Sequence, residues 1–267
     1  MKIADWLSSS TKLLTEADIP TARLDCLVLL EDAINKNRAH LLSHPETYLT
    51  KAQLSSLTEQ LTLRIQHHPL AYIRGKTEFF GRNFIITTDV LEPRPESETM
   101  IELLLKQPSV HTIIDVGCGS GALGITAQLE LPSANVIALD IDSACLAVTK
   151  RNNDLHKKAI QIVQSDLLSA VSNKDLDGAC LLANLPYVPD DFSLNQAALN
   201  EPRLAIFGGQ DGLDLYRKLF KQIAERSVRP KMILCESLPN QHQALSDLAR
   251  GYGFTCSEEE DFIQLFS

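Results

Sequence analysis

Basic side chains are scarce in this 267-residue chain: 25 lysines and arginines stand against 34 aspartates and glutamates, a net charge of −9. The first ninety residues balance, so the whole deficit lies beyond them. Proteins that hold duplex nucleic acid by neutralising phosphates carry a basic face, so stable nucleic-acid binding is not expected. Long apolar runs are also missing; none approaches the roughly 18 residues that a membrane span requires, and no membrane partner is expected. The opening Met1-Lys2-Ile3-Ala4-Asp5-Trp6 brings in an acid and a tryptophan at once, unlike a secretory signal. The six cysteines (Cys26, Cys118, Cys145, Cys180, Cys235 and Cys256) include no two within twenty residues, which excludes a CxxC zinc or redox pair. They read as reduced thiols in a reducing compartment, with Cys145, Cys180 and Cys235 in apolar runs expected to be core residues. The seven histidines show no metal-ligand spacing, and no metal is expected. These absences describe a soluble, cytoplasmic protein, expected to act as a monomer.

Apolar residues make up 44% of the chain, enough for a sizeable core. Residues 1–75 read as a small helical bundle. Apolar positions recur at helical spacing in Ile3, Trp6 and Leu7, in Leu24, Leu27, Val28, Leu30 and Ile34, and in Leu54, Leu57, Leu61 and Ile65. Residues 76–92 read as a β-hairpin linker, because aromatic and β-branched residues flank Gly81-Arg82-Asn83. A helix restarts over Glu96 to Leu105. Strand candidates then follow at Thr112–Val116, Asn135–Leu139, Ile160–Gln164, Ala179–Ala183 and Lys231–Cys235. Helices are expected between them at Ala122–Leu131, Ala144–Asn153, Asp214–Arg226 and Gln241–Gly251. This alternation over residues 93–267 implies a mostly parallel sheet covered by helices on both faces. The end reads as a hairpin, Phe254–Cys256 and Phe262–Phe266, around an acidic solvated loop.

The first strand runs into Asp115-Val116-Gly117-Cys118-Gly119-Ser120-Gly121 and then a helix. Glycines belong where a turn is tight and a ligand touches the backbone. Asp115, at the carboxyl end of the strand, is placed to face a cationic group. Asp140 ends the second strand, where an acid accepts both hydroxyls of a ribose. The glycines also spell GxGxxG (Gly119, Gly121, Gly124), which leaves a dinucleotide site, or a plain strand-to-helix turn, as alternatives. With both acids, the pattern resembles the S-adenosylmethionine pocket of class I methyltransferases. After the third strand, Asp166 is expected to face an adenine amino group, with Leu167 beside the ring, or else to cap the next turn.

Asn184-Leu185-Pro186-Tyr187 follows the fourth strand, at the end of the sheet where open α/β folds bind ligands. An amide or exocyclic amine nitrogen has a delocalised lone pair and attacks poorly. A site that accepts both its N–H bonds, through the Asn184 side-chain oxygen and the Leu185 carbonyl, aims the nitrogen and stabilises the charge developing on it. Pro186 stiffens that carbonyl, and Tyr187 offers a ring face to a planar group. The rate gain comes from positioning and from preorganised acceptors.

The chain resembles the HemK/PrmC family of N5-glutamine methyltransferases. The resemblance runs along Thr21–Asp25, Lys36–Leu42, Pro69–Gly75, Glu78–Gly81, Leu91–Glu98, Glu201–Ala205 and Phe207–Leu213. It implies an α/β class I fold, a seven-stranded Rossmann-like sheet, with a small helical N-terminal domain for substrate recognition. It further implies methyl transfer from S-adenosylmethionine to the glutamine of the Gly-Gly-Gln motif in peptide-chain release factors. Carried over, Gly117, Cys118, Gly119, Ser120, Gly121, Asp140, Asp166 and Leu167 hold the cofactor, and Asn184, Leu185, Pro186 and Tyr187 hold the glutamine, with Asn184 bordering the cofactor as well. The Pro93–Glu98 loop is expected near the cofactor without an individual role. Two positions depart from the family. Leu185 stands where it usually has proline, and Asn-Leu-Pro-Tyr is carried by ribosomal-RNA adenine dimethyltransferases, so an N6-adenine methyltransferase acting on RNA or DNA is the alternative. Glu236-Ser237-Leu238 replaces Glu-Ile-Gly and is expected to alter only a turn away from the chemistry. Gly208-Gly209-Gln210 spells the substrate motif inside the chain but lies where the family has a Gly-Gly-x-Asp-Gly loop.

Overall fold

A computed structural model describes residues 1–107, 110–193 and 198–267. Two compact units divide the chain: Met1–Gly75, and Lys76 onward apart from the 198–200 turn, which groups with the first.

The first unit is built from α1 (Ile3–Glu16), α2 (Ala22–Ile34), α3 (Arg38–Ser43), α4 (Lys51–Ile65) and α5 (Leu70–Arg74). Ile3, Trp6, Leu14, Leu29, Leu30, Leu41 and Leu57 form its core. Thr50 and Gln53 make a reciprocal capping box that starts α4, satisfying backbone donors that the first turn leaves open. The buried face of α2 runs through Ala22, Asp25, Cys26, Leu29 and Leu30, and Leu24 points outward, against the expectation for that helix. The reason is a buried ion pair: Asp25 Oδ2 accepts from Arg64 Nε at 2.7 Å, so an acid takes the inward position. A buried charge is tolerated when paired and hydrogen-bonded in this way.

The second unit opens with a hairpin, β1 (Lys76–Phe79) and β2 (Arg82–Ile85), paired antiparallel. Asn152 holds it by accepting from the Ile85 N–H at 2.6 Å and donating back to the Ile85 carbonyl at 3.0 Å. The chain continues through α6 (Glu98–Lys106), β3 (Thr112–Val116), α7 (Ala122–Glu130), β4 (Asn135–Asp140), α8 (Ser143–Leu155) and β5 (Gln161–Gln164). Then come α9 (Asn173–Leu176), β6 (Cys180–Ala183), α10 (Asp214–Ala224), β7 (Met232–Glu236), α11 (His242–Gly251), β8 (Cys256–Glu260) and β9 (Ile263–Phe266). Seven strands form one sheet in the order β5-β4-β3-β6-β7-β9-β8. The first five in that order run parallel, while β9 is antiparallel to both β7 and β8. The class I methyltransferase architecture expected from the sequence is therefore the one observed. Strands β6 and β7 are buried throughout and β3 at all but Thr112, as largely apolar strands covered on both faces are.

Two expectations change. The acidic run 257–260 is not a loop; it continues β8, an edge strand whose charged side chains point to solvent. Charge on an exposed edge disfavours further strand pairing. Cys180 and Cys235 are buried as expected, whereas Cys145 is only half-buried, with its thiol against the Asp89 carbonyl. No described helix is long and apolar enough to cross a membrane.

Candidate active site

The sheet order reverses between β3 and β6: from β3 the chain winds outward to β4 and β5, and from β6 outward to β7. Crevices at such a switch point, beyond the carboxyl ends of the strands, are where open α/β sheets bind ligands. The glycine loop leaves β3 on one side of the switch, and Asn184 leaves β6 on the other.

The glycine loop is anchored by its backbone. The Gly117 and Cys118 N–H groups both donate to the Leu139 carbonyl at 2.8 Å. Gly119 N–H donates to Asp140 Oδ2 at 2.9 Å, while Asp140 Oδ1 accepts from the Asp142 N–H at 3.0 Å. The Ser120 carbonyl accepts from Asn152, and Gly121 opens α7. Gly117 has φ +75, and a Cβ placed there would lie 3.1 Å from Leu185 Cδ2. The two loops are thus packed directly together, and the Leu185 side chain fills the space beneath the glycine loop. Burial pushes the Asp140 carboxyl up, against the hydrogen bonds that lower it.

Asp115 departs from its expected position. Its side chain turns inward, 1% exposed, and Oδ2 accepts from the Gly124 N–H at 2.8 Å. Burial pushes its carboxyl up to about 7. It braces the start of α7 rather than facing a cation. Asp166 is half-buried and accepts from Lys218 Nζ at 2.5 Å, and Leu167 is buried with φ +51.

Around Asn184 the structure adds residues to those chosen from the sequence. Asn184 Nδ2 donates to Ser97 Oγ at 2.9 Å, and Ser97 Oγ donates to Glu236 Oε2 at 2.5 Å. The Tyr187 hydroxyl donates to Glu236 Oε1 at 3.0 Å. Burial, with the Glu236 charge, pushes the Tyr187 phenol well above its usual range. Tyr216, fully buried, sets its hydroxyl 2.9 Å from the Ala183 carbonyl and 2.5 Å from that of Glu236, tying the ends of β6 and β7 together. Gln241 Nε2 donates to the Tyr187 carbonyl and the Asp211 carbonyl, both at 2.8 Å. The Phe207–Leu213 loop wraps the same backbone: Gly212 has φ +79, and a Cβ there would lie 1.9 Å from the Tyr187 carbonyl oxygen. Gln210, within that loop, is exposed.

Glu236 is therefore not away from the site; it lies at its centre, 1% exposed. Its signal in the sequence was an acid ending an otherwise apolar strand, Met232-Ile233-Leu234-Cys235-Glu236. Ser97 carried no such signal. Arg94 Nη2 donates to Glu201 Oε2 at 2.5 Å, joining the Pro93–Glu98 loop to the segment after residue 200. Among the described residues, no group of three or more side chains is arranged to hold a metal ion.

Residues 5–75 match the family model of the PrmC N-terminal domain, and residues 95–198 match that of the methyltransferase small domain. A release factor glutamine methyltransferase from Koribacter versatilis is 34% identical over 84% of this chain and 82% of its own. One from Moorella thermoacetica is 34% identical over 97% of this chain and 93% of its own. Among solved structures, the hMettl16 catalytic domain in complex with an RNA hairpin superposes with a TM-score of 0.56 at 14% identity, covering 84% of this chain and 82% of that one. That likeness is one of fold. With identity of this level along nearly its whole length, the chain belongs to the release factor glutamine methyltransferase family.

Proposed function

We propose that this enzyme transfers a methyl group from S-adenosylmethionine to the side-chain amide nitrogen of the glutamine in the Gly-Gly-Gln motif of peptide-chain release factors. The observation that carries the reading is the packing of the glycine loop against Asn184–Tyr187 across the switch point, with Leu185 in contact with Gly117. A cofactor loop and a pair of amide acceptors stand side by side. The residues fit the cofactor: no atom lies within 4 Å of the position that a Cβ on Gly119 would take, so the loop backbone is open on that side. Asp140 has carboxylate lone pairs in reserve for ribose hydroxyls, each such bond contributing about 1.5–3 kcal/mol. Gly117 to Gly121, Asp140, Asp166 and Leu167 would hold S-adenosylmethionine, which supplies an electrophilic methyl group.

The protein's part is to orient the nucleophile. Asn184 Oδ1 and the Leu185 carbonyl accept the two N–H bonds of the glutamine amide, so its nitrogen is held toward the methyl and its growing positive charge is stabilised until one of those two protons is lost to solvent, the new carbon–nitrogen bond having replaced the methyl–sulfur bond. Pro186 limits the motion of that carbonyl. Tyr187 lies against the planar amide. The helical unit, residues 1–75, serves to grip the release factor, with residues 76–92 as a hairpin linker to the catalytic residues 93–267. The N6-adenine alternative is not favoured, because the curated relatives matched along this chain are named release factor glutamine methyltransferases. The acid-rich composition argues against nucleic acid as the acceptor.

The test is transfer of a tritiated methyl group with purified release factor, its loop Gln→Ala variant and total RNA as parallel acceptors. Label in the release factor and none in the variant is expected. Label in RNA alone would overturn the reading.

A further inference from the structure

The amide of Asn184 ends a buried relay of side chains from three separate parts of the second unit. Ser97 precedes α6, Asn184 follows β6 and Glu236 ends β7. Ser97 and Glu236 are each 1% exposed, so neither exchanges its partner for water. An ionised carboxylate only accepts hydrogen bonds. The 2.5 Å separation of Ser97 Oγ from Glu236 Oε2 is that of a hydroxyl donating to a carboxylate. Burial pushes the Glu236 carboxyl up, but each of its two oxygens faces a hydroxyl donor, Ser97 at 2.5 Å and Tyr187 at 3.0 Å. The single Ser97 proton is thus committed to Glu236, and only lone pairs remain on the side facing Asn184.

That commitment decides a question of orientation. An asparagine amide fits one cavity in two flips, which differ only in exchanging oxygen and nitrogen. Facing lone pairs on Ser97, the amide must present its NH₂ group there, at 2.9 Å. Its oxygen is then the atom left for a ligand. Were the Ser97 proton free, it would be donated to Oδ1 instead, and the amide would turn its NH₂ toward the substrate. Two N–H donors would then face each other, and one acceptor for the substrate amide would be lost.

We infer that Ser97 and Glu236 are positioning residues for methyl transfer, locking the Asn184 amide in the flip that offers Oδ1 to the substrate N–H. The inference rests on the glutamine-amide reading above. Glu236 does more than supply the acceptor for Ser97. Its second oxygen accepts from the Tyr187 hydroxyl, so one carboxylate sets both the first and the last side chain of Asn184–Tyr187.

The test compares wild type, Ser97→Ala and Ser97→Thr by steady-state kinetics and by the side-chain amide signals of ¹⁵N-asparagine-labelled protein. The Asn184 signal is assigned by its loss in Asn184→Ala. In Ser97→Ala, kcat is expected to fall about tenfold, the worth of one hydrogen bond, with KM for S-adenosylmethionine within about twofold of wild type. The hydrogen-bonded Asn184 amide proton should lose its downfield shift in the same variant. Ser97→Thr keeps the hydroxyl and should restore both the shift and kcat. An Asn184 signal unchanged in Ser97→Ala overturns the inference, and so does a lost shift with unchanged kcat. If wild type labels no release factor while the signal still responds to Ser97→Ala, the glutamine reading falls and the assigned amide orientation stands.

Discussion

The hydrogen bonds that hold the glycine loop after β3 come from residues 21 to 32 positions further along the chain, those that hold the Asn184 loop from residues 49 to 87 positions away. Leu139, Asp140, Asn152 and the hydroxyl of Thr149, which donates to the Gly119 carbonyl, all lie on β4 or α8, the elements that follow α7, and Leu185 packs on Gly117 from across the switch point. Asn184 is held instead by Ser97, 87 residues earlier, and Tyr187 by Glu236 and Gln241, 49 and 54 residues later. The first loop takes its hydrogen bonds from the two elements that follow α7, and its own glycines mark it in the sequence. The second has its candidate substrate-binding residues in one short motif but depends on three remote elements for the direction in which those residues point. Support drawn from far along the chain makes the second loop more sensitive to single changes, in ways that its own letters do not show.

The largest effect is expected from the motif itself. Asn184→Ala should lower turnover by about 10²–10³, the scale for losing one preorganised electrostatic partner, while leaving S-adenosylmethionine binding by calorimetry nearly unchanged. Near-normal turnover would mean that the acceptor lies elsewhere. Remote support is tested next by Gly212→Ala. Its φ of +79 and the 1.9 Å approach to the Tyr187 carbonyl leave no room for a methyl group. A loss of about 2–5 kcal/mol in denaturant unfolding is expected, and an unaffected protein would show that the loop does not need to press on Tyr187.

Local support should yield a smaller and differently distributed loss. Asp140→Ala is expected to weaken S-adenosylmethionine binding by about 10–100-fold, from hydrogen bonds to a charged acceptor. At saturating cofactor, turnover should recover. A fall in turnover that saturation does not repair would erase the contrast between the two loops. The smallest effect belongs to the rim. Arg217 pairs with Asp211 and holds its carboxyl down at about 2. Because the folded value lies below the unfolded one, this stability is present above about pH 4 and lost as pH falls through 2. The pair is about half exposed, so Arg217→Gln should cost under about 1 kcal/mol at neutral pH, and its melting curve should converge with wild type in acid. A persistent gap at pH 2 would point to lost packing rather than lost charge.

Much of the sheet was legible in the residues. The largely apolar runs at 112–116 and 179–183 lie on the two central strands, because burial on both faces favours apolar residues, with Asp115 admitted by its hydrogen bond to the Gly124 N–H. The strand at 256–260 was not legible, since charged residues on an edge look like a loop until a partner strand is known. Leu24 and Asp25 misled for a related reason: hydropathy places the leucine inside, but Arg64, thirty-nine residues later, draws the acid in. At the site, the sequence marked the glycine loop and Asn184–Tyr187. It placed Asp115 against a cation, where the structure has it against a backbone N–H. It dismissed Glu236, whose partners are on other elements.

By itself, then, the sequence determined the kind of protein this is: a helical unit followed by a wound sheet, a glycine loop with its acid, the Asn184–Tyr187 motif and a family. Each is written in residues close together along the chain, through helical or strand periodicity and turn chemistry. Only the tertiary structure decided which side chains hold that motif in place. The direction of a hydrogen bond through Ser97 depends on what lies behind it, and what lies behind it is a carboxylate 139 residues further along the chain.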